Sequence, residues 1–156
     1  NFKGIRFINE TEGYNFGGAV DDIWQHNQTK QLHIVDYKST SKKGEPSIEG
    51  GGFGDGYKRQ MEIYQWLLGA LGFNVSPVGY FLYVNGLKEG GFYNSKNQGV
   101  MNFKTTMIEY AGDCSWVDGV IKRAKDCLIS KTTPTGEAGC DNCRYFQQRT
   151  ALEQKF

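Results

Sequence analysis

Two β-prone segments with a short polar break between them constrain this chain more than any other feature of its sequence. The first segment carries Asp21 and Asp22, the second carries Asp36, and the break is residues 27–30. This pattern predicts an antiparallel hairpin with a longer loop. In that register Asp21 lies opposite Asp36, at a Cβ separation of about 5 Å, where like charges are destabilising. A divalent cation between the carboxylates would relieve the repulsion, because hard cations such as Mg²⁺ take oxygen ligands.

A lysine is expected on the same strand face as Asp36. Side chains two positions apart on a strand share a face, so Lys38 accompanies Asp36. In this register the small Ala19 lies opposite Lys38 and leaves it room, whereas Asp22 points to the other face. Two carboxylates and an ammonium are the groups that metal-assisted hydrolysis uses. Asp-x-Lys is also typical of an exposed strand with a solvated ion pair, so the motif alone leaves both interpretations open.

The segment from Gly56 to Gly72 has the spacing of an amphipathic helix. Its apolar and aromatic residues recur at intervals of three and four, and Gly72 supplies a stop signal. Gln60 and Tyr64 are four residues apart and are therefore neighbours on one face. They fit two alternatives, the polar margin of a packed helix or a pair of site residues.

Three short motifs in these segments follow one another along the chain, and they are Gly18-Ala19-Val20-Asp21, Asp36-Tyr37-Lys38 and Gln60-x-x-x-Tyr64. Together they resemble the motifs of PD-(D/E)XK nucleases of the RecB-like branch. That branch includes the exonuclease domains of RecB and AddAB-type enzymes and the CRISPR-associated adaptation nucleases. The resemblance covers roughly residues 15–85 and loosens towards the C terminus.

The resemblance implies a deoxyribonuclease that hydrolyses phosphodiester bonds with Mg²⁺ or Mn²⁺. The implied catalytic residues are Asp21, Asp36, Lys38, Gln60 and Tyr64. The implied metal ligands are Asp21, Asp36 and the backbone carbonyl of Tyr37. One alternative is a nuclease-like module that binds DNA without cutting it. Another, a carbohydrate- or peptide-binding α/β domain, requires all three motifs to be accidental.

The remaining sequence predicts an α/β fold, which the resemblance makes restriction-endonuclease-like, with a mixed central β-sheet flanked by helices. We expect the hairpin over about 15–39 and a mobile Gly-rich connector over 40–56. A near-continuous apolar run predicts a strand over 77–85 that is buried on both faces. Further strands are expected over 2–8 and 100–110, and a second helix over 115–130.

The chain has 156 residues, enough for one domain with a core of its own, so we expect a single domain over 1–156. Because it begins at Asn1 rather than Met, we expect this domain to be excised from a longer protein or truncated at its N terminus. Glu10 or Glu12 is a candidate for a third carboxylate at the site.

The net charge of +1 does not by itself mark a nucleic-acid-binding protein. Local basic pairs are candidates for contacts with DNA phosphates, namely Lys42 with Lys43 and Lys58 with Arg59. Lysines on a solvated loop are the alternative for the first pair. No apolar run approaches the roughly 20 residues of a membrane span. We therefore expect a cytoplasmic protein without a membrane partner. The resemblance implies that its partners are DNA and a larger parent polypeptide or a nuclease–helicase or CRISPR complex.

The four cysteines are Cys114, Cys127, Cys140 and Cys143. Cys140-x-x-Cys143 has metal-ligand spacing, whereas Cys127 fits an apolar helix position where a free thiol packs. Some nucleases of the resembled branch carry an iron–sulfur cluster in which a third cysteine follows such a pair, and none follows Cys143 here. We therefore expect reduced thiols, with Cys140 and Cys143 as candidates for the remnant of an iron–sulfur or zinc site.

Overall fold

The computed structural model describes residues 4–89 and 91–154, which form two compact units divided after Val120. The strands are β1 (Ile5–Asn9), β2 (Tyr14–Gly18), β3 (Asp22–Gln25), β4 (Leu32–Thr40), β5 (Val78–Leu87) and β6 (Asn102–Ala111). The helices are α1 (Phe53–Ala70), α2 (Val117–Ile129) and α3 (Asp141–Glu153). Of the strand predicted over 2–8, residues 2 and 3 lie outside the described residues and the remainder contributes to β1.

The strands form two sheets in the first unit. β1 and β2 make a two-stranded antiparallel sheet, and the other four make a sheet of order β3-β4-β5-β6. In the larger sheet β4 and β5 are parallel and the outer pairs are antiparallel. Helix α1 connects the parallel strands, as the crossover between parallel neighbours requires. The mixed sheet predicted from the sequence is therefore present.

One face of the larger sheet packs against α1. The buried cluster there consists of Ile34, Ile48, Met61, Leu68, Phe81 and Tyr83. On β5 the fully buried residues alternate with half-buried ones, so the predicted burial on both faces was wrong. The face of β5 that points away from α1 also carries apolar residues, and there Tyr80 packs against the rings of Trp24 and His33.

The hairpin is shorter than predicted. β3 and β4 pair from Asp22 with Val35 to Gln25 with Leu32, and residues 14–18 pair instead with β1. Ala19 lies between these two ladders, so its predicted pairing with Lys38 was wrong. From Val35 onward β4 uses its other edge to pair with β5, while the preceding chain passes from one sheet to the other.

The connector predicted over 40–56 is partly fixed in the structure. Pro46 and Ile48 are buried, and α1 begins at Phe53 rather than Gly56. A side chain at Gly54 would collide with the carbonyl oxygen of Ile48. Glycine at this position therefore lets the loop pack tightly against the first turn of α1.

The predictions of a strand over 100–110 and a helix over 115–130 are confirmed as β6 and α2. Cys127, predicted to pack, is exposed, and so is its neighbour Leu128 on the side of α2 that was expected to be covered. The sequence did not predict α3, because its apolar residues are not concentrated on one face of the helix. Among the described residues, none of the helices combines the length and apolarity needed to span a bilayer.

Candidate active site

The β3–β4 register brings Asp21 to Asp36, as the sequence predicted. Pairing of Asp22 with Val35 puts Asp21, one residue earlier, beside the Asp36–Tyr37 segment of β4. The Tyr37 backbone N–H donates to Oδ2 of Asp21 at 2.9 Å. This bond fixes the Asp21 carboxylate at the end of the short ladder.

Asp36 is a buried acid with an unusual environment. Its residue surface is only 2% exposed. Its Oδ2 atom is enclosed by the protein and forms an ion pair with Nζ of Lys38. Burial raises the pKa of Asp36, Lys38 opposes this, and the neighbouring Asp21 carboxyl raises it further. Burial and a like charge thus outweigh the ammonium.

The Lys38 ammonium connects β4 to α1. Besides the ion pair with Asp36, Nζ donates to Oε1 of Gln60 at 3.3 Å. It also lies 4.3 Å from the centre of the Tyr57 ring, a distance at which the ring face attracts a cation. The lysine is therefore held by a carboxylate, an amide and an aromatic face.

Gln60 and Tyr64 share one face of α1, as their spacing predicted. Nε2 of Gln60 donates to the Tyr64 hydroxyl at 3.2 Å. The Tyr64 ring lies so close to the end of β2 that a Cβ atom at Gly18 would be 2.7 Å from Cε1. The glycine of the first motif therefore makes room for the tyrosine of the third.

Asp22 points away from this set, in agreement with the sequence prediction. Its Oδ2 accepts hydrogen bonds from the Tyr37 hydroxyl at 2.5 Å and from Nε1 of Trp24 at 3.1 Å. These bonds, that of Tyr37 first, lower the pKa of Asp22. Asp22 thus anchors the Tyr37 side chain on the opposite face of the sheet.

The donor set at Asp21 and Asp36 fits a divalent cation. The described residues include no group of three or more His, Cys, Asp or Glu side chains arranged around one point. Mg²⁺, however, is commonly held by one or two carboxylates while it keeps several waters. The carboxylates of Asp21 and Asp36 supply oxygen donors of this kind, and a cation between them would neutralise the like charge that Asp21 adds at Asp36.

The basic residues proposed to contact DNA differ in their surroundings. Lys42, Lys43 and Arg59 are exposed. Lys58 instead forms a 2.8 Å ion pair with Glu49 and lies over the Tyr110 ring. The ammonium of Lys58 is therefore paired within the protein, whereas its position beside Arg59 suggested a contact with DNA phosphates.

The candidates for a third carboxylate lie away from the site. Glu10 and Glu12 occupy the turn after Asn9, at the opposite end of the β1–β2 ladder from Gly18. Cys140 and Cys143 belong to the second unit, where they lie at the start of α3.

Comparison with known families agrees with this geometry. A family model of the PD-(D/E)XK nuclease superfamily matches residues 2–148. The chain therefore belongs to this superfamily, whose members are generally nucleases and typically use divalent metals. The mixed sheet and the helices are consistent with its restriction-endonuclease-like α/β fold, which the sequence predicted. No curated protein and no solved structure matches the chain.

Sequence reasoning missed two residues that shape the site. Tyr57 lies beneath Lys38, and its spacing from Gln60 and Tyr64 on α1 is the signal that could have placed it there. Asn85 is buried on β5, accepts from the Lys42 backbone N–H and donates to the Lys42 carbonyl, each at 3.1 Å. An Asn within an apolar strand run is the signal that marks it.

Proposed function

We propose that this chain is a metal-dependent nuclease that hydrolyses DNA phosphodiester bonds at the site formed by Asp21, Asp36 and Lys38. The observation that carries the proposal is the environment of Asp36, a buried carboxylate between a second carboxylate and an ammonium. Burying such a charge is costly unless a partner compensates it. Shifted acids of this kind concentrate at functional sites. Membership of a nuclease superfamily supports the same function.

The proposed ligands of a Mg²⁺ or Mn²⁺ ion are Asp21, Asp36 and the backbone carbonyl of Tyr37. When bound, the ion supplies an activated water and stabilises the negative charge that develops on the phosphate. Tyr37 contributes twice, because its N–H orients the Asp21 carboxylate and its carbonyl is a further ligand. The short β3–β4 ladder holds the two acids together before any ion binds.

Lys38 is the proposed catalytic lysine. An ammonium has three N–H donors, and in the described residues two of them are directed at Asp36 and Gln60. The third is available to a phosphate oxygen or to the attacking water. Such a preorganised donor stabilises developing negative charge without reorganisation during the reaction. The Tyr57 ring face helps to keep the charge in place.

Gln60 and Tyr64 are proposed to position Lys38 and the substrate. The hydrogen bonds run from Lys38 to Gln60 and from Gln60 to Tyr64, so that α1 determines where the ammonium lies. Because the third motif of the RecB-like branch has this Gln and Tyr, we assign the chain to that branch as part of the proposal. Exposed Lys42, Lys43 and Arg59 are proposed to neutralise DNA phosphates nearby.

The test is cleavage of linear and of circular DNA with Mg²⁺ or Mn²⁺, each with a chelator control. We expect cleavage only when metal is present. In Asp36→Asn and Lys38→Ala the rate should fall at least about 100-fold, the usual effect of removing one preorganised electrostatic group. Cleavage of linear DNA alone would indicate an exonuclease, and cleavage of both forms an endonuclease.

Matched controls separate the site from general effects of charge. Asp126→Asn and Lys131→Ala make the same substitution types at exposed positions of the chain, and both should cleave like the wild type. Thermal denaturation of every variant verifies that a loss of cleavage is not caused by unfolding. Equal losses in the site and control variants would contradict the assignment of the site.

The alternative of a DNA-binding module without catalysis has a distinct outcome. Under that alternative a gel shift shows binding that weakens with salt, as phosphate contacts require, while no metal supports cleavage. DNA binding that is absent, or that does not respond to salt, would contradict both nucleic-acid functions.

A further inference from the structure

The two cysteines of Cys140-x-x-Cys143 form a thiol pair at the start of α3. Cys140 is the N-cap residue of this helix, and its Sγ accepts a hydrogen bond from the Cys143 backbone N–H at 3.5 Å. Both residues are partly exposed and neither is in a disulfide. This pair belongs to the second unit and is not among the residues proposed above for the nuclease site.

The backbone places the two sulfur atoms within reach of each other. Cys140 and Cys143 hold the N-cap and third positions of the helix, and the two thiols are near enough to hydrogen-bond to each other. A disulfide requires Cα atoms about 4.4–6.8 Å apart, a range that residues one helical turn apart satisfy. The spacing of the pair therefore meets the Cα requirement for a disulfide.

The thiols differ in character. Hydrogen bonds from the Cys143 backbone N–H, from the Cys143 thiol and from the Asn142 backbone N–H lower the pKa of Cys140. The bond that Cys143 donates to Cys140, together with burial and the charge on Cys140, raises the pKa of Cys143. One cysteine is thus suited to attack and the other to remain protonated until it is needed.

A cavity gives a reagent access to both sulfur atoms. Its volume is about 320 Å³, and it is lined by residues 136–140 with Cys143, Arg144 and Gln147. At Gly136 a Cβ atom would be 3.1 Å from Sγ of Cys143. Glycine there keeps the wall of the cavity close to the second sulfur without blocking it.

We propose that Cys140 and Cys143 form a redox-active dithiol that exchanges reversibly with small disulfides. The Cys140 thiolate attacks one sulfur of R–S–S–R, the S–S bond breaks, and RS⁻ leaves and takes a proton from solvent. Cys143 then loses its proton to solvent and its sulfur attacks the Cys140 sulfur. The second RS⁻ leaves and is protonated, so two electrons pass to the small disulfide and two RSH are released.

The first experiment equilibrates the full chain in glutathione buffers of graded ratio, followed by alkylation and peptide mass analysis. We expect the peptides of Cys140 and Cys143 to become linked as glutathione disulfide increases, and the linkage to reverse in reduced glutathione. Cys114 and Cys127 should remain alkylated throughout. Failure of the pair to link in excess glutathione disulfide would overturn the proposal.

The second experiment assigns the two roles. In Cys143→Ser the mixed disulfide with glutathione should accumulate on Cys140, because no second thiol resolves it. In Cys140→Ser, which keeps a good N-cap residue, Cys143 should form the mixed disulfide several-fold more slowly. Exposed Cys127 is the matched control in both variants. Equal rates at Cys140 and Cys127 would contradict activation of Cys140.

A metal site is the competing outcome for the same pair. If reduced protein incubated with Zn²⁺ retains one zinc per chain after desalting, and alkylation of both cysteines is blocked, the pair is a metal site and the redox proposal fails. Circular dichroism of each serine variant verifies that α3 still forms. Both measurements are independent of nuclease activity, so a failed cleavage assay leaves this proposal unaffected.

Discussion

Replacing Gly18 with alanine tests whether the first and third motifs are held together by direct packing. The new Cβ atom would lie 2.7 Å from Cε1 of Tyr64, whereas ordinary contact begins near 3.4 Å. The ring must therefore move by roughly 0.7 Å or more. Gly18 is not among the glycines with positive φ, so alanine brings no backbone strain that would confuse the result.

The expected cost is a loss of about 2 kcal/mol in the free energy of unfolding. Overpacking a well-packed site costs about 1–3 kcal/mol. Displacing the ring also weakens the bond between Gln60 and Tyr64, and such a bond contributes about 0.5–1.5 kcal/mol. Alanine also restricts the unfolded chain, and this returns about 0.4–1 kcal/mol of stability. The net loss is therefore about 2 kcal/mol.

Urea denaturation followed by circular dichroism measures this loss. Gly69→Ala is the matched control, because Gly69 is an exposed helical glycine with open space around it and should lose nothing. In a Tyr64→Ala background the cost of Gly18→Ala should largely disappear, since the clash has been removed. An equal cost in both backgrounds, or no cost at all, would refute the packing argument.

Three further predictions concern the groups around the site. Tyr37→Phe should raise the pKa of Asp22 towards its ordinary value, because the Tyr37 bond lowers it most; an unchanged NMR titration of the Asp22 carboxyl would contradict this. Glu62→Gln should cost about 1–3 kcal/mol in urea denaturation, because Tyr110 and Trp116 donate to that buried carboxylate. Burial and then Glu62 raise the pKa of Tyr110 from 10.0 to about 12. Its contribution to stability should therefore be present below pH 10 and lost as the pH rises through about 12, and an absorbance titration with every tyrosine ionising near its ordinary pKa would contradict this.

The sequence predicted the parts of the site that depend on local periodicity. The loop over 27–30 fixed the register that brings Asp21 to Asp36, because a shift by one residue would turn every side chain to the other face. The period of two along β4 put Lys38 beside Asp36, and the helical period put Tyr64 beside Gln60. Each of these relations spans a single element or a single hairpin.

The parts that could not be predicted depend on how distant elements pack. The spacing of Gln60 and Tyr64 is equally compatible with an ordinary half-buried helix, and the contacts of Gln60 with Lys38 and of Tyr64 with Gly18 distinguish the two. Likewise, the ion pair of Lys58 with Glu49 depends on how the loop before α1 packs against the helix. No pattern within one element carries information about such contacts.

Asp36 lies on a strand that the sequence predicts, yet its burial costs free energy. The residues that precede Asp36 on β4 are hydrophobic and buried, and Asp36 is buried together with them. The ionised carboxylate is disfavoured there, because burial and Asp21 outweigh the attraction of Lys38. A fold selected for stability alone would place an apolar residue at this position, since a buried ion pair rarely stabilises more than a hydrophobic pair of similar volume. An acid at this position is therefore better explained by binding than by stability, and the divalent cation proposed above is a partner that both carboxylates can share.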